Sequence, residues 1–147
     1  MGNVRSEHEA GRVRRWGASR EIRKSAYCTK VLEGIWPRIA AVLDEFDLPT
    51  NRLEALGPQR CMKLLELVPH LDIEINLHVE RNEHKGRKIA PNDEIDLGFL
   101  SLAVPYCRVV VTEKFWTALI HRTKLDVKYG TRVGHSLSEA LMSLSGA

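Results

Sequence analysis

The chain has 147 residues, 44% of them hydrophobic and 28% charged, with a formal net charge of +3. That length suits one domain able to bury roughly two thirds of its unfolded surface. No apolar run approaches the ~20 residues a membrane helix needs, and the N-terminus has no apolar core of the secretory kind. Cys28, Cys61 and Cys107 are widely spaced without a CxxC pair. They fit buried thiols in a cytoplasmic protein better than a disulfide or zinc framework.

Charge is unevenly spread. Residues 1–30 hold eight basic side chains against three acidic ones, a net of +5, which leaves the rest of the chain at −2. A basic arm over residues 1–18 suits either phosphate neutralisation or a solvated, loosely ordered segment. From residue 19 to 147 the patterning is that of a single α/β domain, mainly helical in its first half. Ser19 is placed to cap a helix whose apolar residues Ile22, Ala26, Leu32 and Ile35 follow at helical intervals. Pro37 is expected to kink or restart it, and Ile39, Val42, Leu43 and Phe46 form the next stripe. "DLPTN" (Asp47–Asn51) reads as a loop. Leu53 and Leu56 mark a helical turn, and Gly57-Pro58 opens a helix that ends near Leu67.

The segment Leu71–Val79 reads two ways. Leu71, Ile73, Ile75, Leu77 and Val79 alternate as in a half-buried strand, yet "ERNEHKG" after them is polar and helix-like. The expectation is an extended start with helix or strand beyond it. Gly86 to Pro91 reads as a basic loop. Asn92 or Asp93 then caps a helix to about Val104 that would bury Ile95, Phe99, Leu102 and Ala103, with Pro105 as its stop. "RVVVT" (Arg108–Thr112) has the short β-branched run of a covered parallel strand. Phe115 to Thr123 is an amphipathic helix, "GTRV" (Gly130–Val133) a second strand, and Ser136 with Glu139 a capping box for a last helix. Helix, strand, helix, strand, helix in that order implies a small parallel sheet flanked by helices.

The acids in this region carry the chemistry. Asp93 and Asp96 are three apart and share a helix face, and Glu113 follows the strand end at Thr112, where α/β sheets place ligands. Carboxylates converging on one point need a cation, and oxygen ligands suit Mg²⁺ or Mn²⁺. Such an ion activates water for phosphodiester hydrolysis. The same acids also fit a purely structural role as N-terminal charges favouring their helix dipoles. His70, His78 and His84 show no HxH or HExxH spacing, and no nucleophile motif or Gly-rich phosphate loop is present.

The stretch "NDEIDLGFLSLAVPYCRVVVTEKFW" (Asn92–Trp116), followed by "LDVKYGTRV", resembles the C-terminal half of PIN-domain ribonucleases over residues 92–133. The family's best-known bacterial members are toxins of toxin–antitoxin pairs. The resemblance implies a PIN-like C-terminal half and a Mg²⁺- or Mn²⁺-dependent endoribonuclease. Asp96 would be a metal ligand, Asp93 a second one and Glu113 a further one, with the Thr112 hydroxyl supporting the site. It also implies RNA as substrate, an antitoxin-like protein partner and a homodimer. Arg87, Lys88 and Lys114 flank these acids and would steer RNA or simply face solvent. Two departures accompany the resemblance. Lys114 stands where the family has its acid, with Glu113 one place early, and no apolar strand carrying an Asp begins the chain. Such a chain is expected to be a truncated reading frame, a fragment completed by a partner, or a binding module that has kept the fold and lost the site.

Overall fold

The computed structural model describes residues 19–84 and 90–142. The expected basic arm, the basic loop around Arg87 and Lys88, and the end of the last helix lie outside the described residues. The chain divides into two compact units, Met1–Lys63 and Leu64–Ala147. Of the described residues, 75% are helical and the remainder includes a two-stranded parallel sheet.

In the first unit, α1 (Arg20–Glu45) is one helix of 26 residues. Ser19 caps it, its hydroxyl oxygen accepting from the Ile22 N–H at 3.4 Å. Pro37 lies inside the helix and does not end it, because neighbouring backbone bonds carry the helix past one missing donor. The loop after it leads to α2 (Asn51–Glu54), and α3 (Gly57–Glu66) follows from Gly57, whose φ of +72° suits a residue without a Cβ.

The second unit is organised around α4 (Pro69–Glu83). This is the segment whose alternation suggested an extended start, and it is helical throughout. Proline opens it at a position that needs no N–H. Ile73, Ile75, Leu77 and Val79 are all buried, and so are Asp72, Glu80 and Arg81. A helix covered on nearly every side has no polar face to mark its period. Every second residue then points to a roughly opposite side, and all of these sides are covered.

Helix α5 (Asp93–Tyr106) packs along α4. Pro105 sits in its last turn rather than stopping it at Val104. Its buried positions are Asp93, Leu97, Leu100, Ser101 and Val104. Ile95, Phe99 and Leu102, expected inside, are 59%, 70% and 54% exposed. The helix is apolar on two faces, and Leu97, Leu100 and Val104 occupy the one that meets the core. Of the residues expected inside, Ala103 alone packs against that core.

Strand β1 (Val109–Val111) pairs in parallel with β2 (Arg132–Gly134), Val110 opposite Val133. The ladder is extended by Thr112 N–H donating to the Gly134 carbonyl at 3.0 Å. Between the strands run α6 (Lys114–Thr123) and α7 (Leu125–Tyr129). Lys124 joins these helices in the left-handed region, φ +57°. Helix α8 (Leu137–Met142) closes on both strands. A Cβ at Gly134 would sit 2.7 Å from the Ala140 backbone nitrogen, so the approach of α8 to β2 requires glycine there. The capping box forms in a shifted way. Ser136 Oγ accepts from the Glu139 N–H at 3.2 Å, but the Glu139 carboxylate takes the His135 N–H, not that of Ser136. That bond holds the Glu139 carboxyl below its usual pKa.

The core joins Ile73 and Leu77 of α4 to Leu97, Leu100 and Val104 of α5, Trp116, Leu119 and Ile120 of α6, and Val110 and Val133 of the strands. Among the described residues, no helix is long and apolar enough to cross a membrane. Leu77→Ala is expected to cost about 2–5 kcal/mol, the range for deleting a buried leucine side chain, as measured by urea denaturation. An extended, half-covered segment at 71–79 would give a much smaller loss.

Candidate functional site

Asp93 and Asp96 open α5, and Glu113 is the residue before α6. Asp93 is 1% exposed. Its Oδ2 accepts from the Ala90 N–H at 3.0 Å while its own N–H donates to the Ala90 carbonyl at 3.1 Å. These two bonds close the turn through Pro91 and Asn92 from both sides, but the Asp93 carboxylate takes an N–H from outside the helix and does not cap the first-turn donors of α5. Asn92, the other candidate, makes no side-chain capping bond.

Asp96 lies one turn further along. Its Oδ2 accepts from Trp116 Nε1–H at 3.2 Å. Trp116 is completely buried at the centre of the core, and a buried indole N–H needs an acceptor. Asp96 supplies it and thereby ties the start of α5 to the first turn of α6. Glu113 is exposed and makes no side-chain capping bond to α6. Thr112 is half-buried and joins the sheet through its backbone N–H.

Among the described residues, no group of three or more His, Cys, Asp or Glu side chains is placed to hold a metal ion. Asp93, Asp96 and Glu113 are therefore not gathered into the expected ligand set. Each Asp has one oxygen engaged by a donor of the fold, and the third acid stands in solvent. The donor set does not fit a three-carboxylate Mg²⁺ or Mn²⁺ site.

A cation of the chain itself pairs with another acid of this turn, Glu94. Arg81 of α4 is 4% exposed, and its Nη2 donates to Glu94 Oε1, in the first turn of α5, at 2.9 Å. The same nitrogen donates to His78 Nδ1 at 3.1 Å. Its Nε and Nη1 are buried without a hydrogen-bond partner among the described residues, which makes the Glu94 contact the more necessary.

Arg81 is one of three buried charges on α4, none of them foreseen from sequence. Glu80 is paired with Arg122 of α6 at 2.9 Å. Asp72 accepts from Lys128 Nζ at 2.8 Å, Tyr129 Oη at 2.9 Å and Asn76 Nδ2 at 3.0 Å. In each pair the α4 residue is the buried member and its partner reaches in from the surface. The available signal was the adjacent, opposite charges Glu80-Arg81 in a segment otherwise rich in large aliphatics.

A further hydroxyl–imidazole–carboxylate series links Ser101, His70 and Glu74. Ser101 Oγ lies 2.7 Å from His70 Nδ1, and His70 Nε2 lies 3.6 Å from Glu74. Ser101 is completely buried, and its hydroxyl donates to the Gly98 carbonyl at 2.7 Å. It therefore accepts from His70 Nδ1–H and joins α5 to α4. A nucleophile would need its oxygen open to substrate.

Comparison with known proteins found no matching family model, no matching curated protein and no matching solved structure.

The Tyr129 phenol is pushed well above its usual pKa, first by burial and then by its bond to the Asp72 carboxylate. Its neutral form is the one that stabilises the fold. That contribution is complete below the unfolded value of about 10 and is lost as pH rises beyond it. Tyr129→Phe is expected to lower stability by about 2 kcal/mol at neutral pH, the loss of a hydrogen bond to a charged group. The gap between wild type and variant should shrink above pH ~10, as read from thermal unfolding at a series of pH values. A gap that stays constant to high pH would contradict the Asp72 contact.

Proposed function

We propose that this chain acts by binding a protein rather than by hydrolysing RNA. The observation that carries the reading is the use made of the two helix acids. Asp93 holds the Ala90 turn and Asp96 holds Trp116. A metal-dependent nuclease keeps its carboxylates free to face an ion and its water. Here both contribute to the packing of α5, and Arg81 supplies the positive charge that the acidic first turn calls for. The likeness of residues 92–133 to PIN domains is then a likeness of framework without the acidic centre.

A protein partner is favoured over RNA by the surface of α5. From Leu97 to Cys107 the chain has no charged residue, and Phe99, Leu102 and Tyr106 are more than half exposed. Contiguous exposed apolar side chains mark protein interfaces, whereas RNA recognition calls for basic side chains along its backbone. An antitoxin-like partner and an RNA substrate belong to the competing reading, a Mg²⁺- or Mn²⁺-dependent ribonuclease with Asp96, Asp93 and Glu113 as ligands.

The two readings separate in one assay. The purified full chain is expected to leave single-stranded RNA intact with Mn²⁺ or Mg²⁺. Asp96→Asn should change thermal stability little, because the amide oxygen can still accept from the Trp116 indole. Cleavage that requires the metal, stops with a chelator and disappears in Asp96→Asn would sink the binding reading and restore the nuclease.

A further inference from the structure

The two strands present unequal outer edges. Between β1 and β2, Arg132 N–H donates to the Arg108 carbonyl and Thr112 N–H to the Gly134 carbonyl, each at 3.0 Å. Val109 is in register with Arg132 and Val111 with Gly134. The alternation of a parallel ladder therefore turns the backbone of Val110 toward β2 and that of Val109 and Val111 away from it. On the outer side of β2, the donors flanking Val133 are engaged within the unit. Thr131 N–H donates to the Asp126 carbonyl at 2.9 Å and His135 N–H to the Glu139 carboxylate at 2.6 Å. On the outer side of β1, the N–H and C=O groups of Val109 and Val111 have no hydrogen-bond partner among the described residues.

The outer edge of β1 is also accessible. Val111 is 48% exposed, and Arg108, Glu113 and Lys114 at the two ends of the strand are exposed as well. Edge strands are commonly protected by a charge, a proline or a bulge within the strand. The Val109–Val111 run carries none of these and pairs residue by residue with β2.

We infer that the free edge of β1 receives an extended segment of a protein partner as a third strand. This rests on the reading of the chain as a protein-binding module and gives that module a contact and a geometry. Donors and acceptors alternate along the edge, from Val109 N–H and C=O to Val111 N–H and C=O. Another extended backbone matches that alternation. Phosphates only accept, so a nucleic-acid backbone would leave both carbonyls unpaired, and a helix has spent its own groups internally. The added strand lays alternate side chains on the face of Val110, which is 7% exposed and belongs to the core. The partner segment is therefore one with an apolar, β-branched residue at every second position. A third strand also completes the smallest sheet that is stable in its own right.

Amide hydrogen exchange of the full chain, resolved by residue with NMR, tests the proposal. In the free chain Val109 and Val111 are expected to exchange fast and Val110, whose N–H lies in the ladder, slowly. The probe is the acetylated and amidated peptide Lys-Thr-Val-Thr-Val-Thr-Lys, titrated to millimolar concentration. It should slow exchange at Val109 and Val111 several-fold and leave Val110 unchanged. Val111→Thr keeps the backbone N–H and should respond like wild type. Val111→Pro removes one outward donor and leaves the β1–β2 bonds in place, so it should keep slow exchange at Val110 and lose the response at Val109. If that variant does not fold, the wild-type titration decides. Protection of Val109 and Val111 already present in the free chain would overturn the proposal, as would no added protection with the peptide. So would an undiminished response at Val109 in a folded Val111→Pro chain. Each of these outcomes leaves the binding reading standing, because that reading answers to RNA cleavage alone.

Discussion

The second unit depends on a single constraint: a helix buried on most of its surface carries three charges that cannot reach water. Asp72, Glu80 and Arg81 each sit on α4, and each is answered by a side chain from a different element, α7, α6 and α5 respectively. Truncating the partner of a buried charge costs about 3–5 kcal/mol, far more than an exposed pair contributes. The apolar core would accept several small rotations of α4 with little loss. The three charges would not, because each partner reaches its target from one direction. Hydrophobic burial supplies the driving force, and the buried charges select the register.

That same helix was the hardest to read in the sequence. Strict alternation of Ile73, Ile75, Leu77 and Val79 is the mark of a strand with one wet face. A helix wrapped on nearly every side produces the same alternation, because its period carries no information once no face is polar. The opposite difficulty arose at α5. Of the four residues its patterning puts inside, Ala103 packs against the core, whereas Ile95, Phe99 and Leu102 face outward. Two apolar faces compete for one core, and the sequence alone does not rank them. Elements whose patterning was one-sided were legible. The β-branched run at Val109–Val111 is a strand, Trp116, Leu119 and Ile120 are the buried face of α6, and Ser19 caps α1.

The candidate site was legible as composition and not as geometry. Two acids at the start of a helix, followed by a strand and a third acid, are what a metal centre needs, but they are also what helix starts prefer. Which role they take depends on the donors nearby. Here the donors are a backbone amide three residues before the start of α5 and an indole from α6. Neither contact follows from spacing, since the first requires a particular turn at Pro91-Asn92 and the second requires α6 to pack across the end of α5. The guanidinium that pairs with Glu94 comes from "ERNEHKG", which reads as polar and helix-like, but its spacing gives no sign that Arg81 is buried.

The order in which the buried charges find their partners bears on how the unit folds. Arg81 and Glu94 are 13 residues apart, Glu80 and Arg122 are 42, and Asp72 and Lys128 are 56. The entropic cost of closing the longest of these loops exceeds that of the shortest by only about 1 kcal/mol. Chain synthesis imposes a stricter schedule, because Lys128 and Tyr129 leave the ribosome after Glu94 and Arg122. Until they emerge, covering α4 would strand the Asp72 carboxylate without a counter-charge. The N-terminal end of α4 is therefore held open to water while its C-terminal end can already dock on α5. Its closure awaits the arrival of α7, which makes the late segment a lock on a helix made long before it.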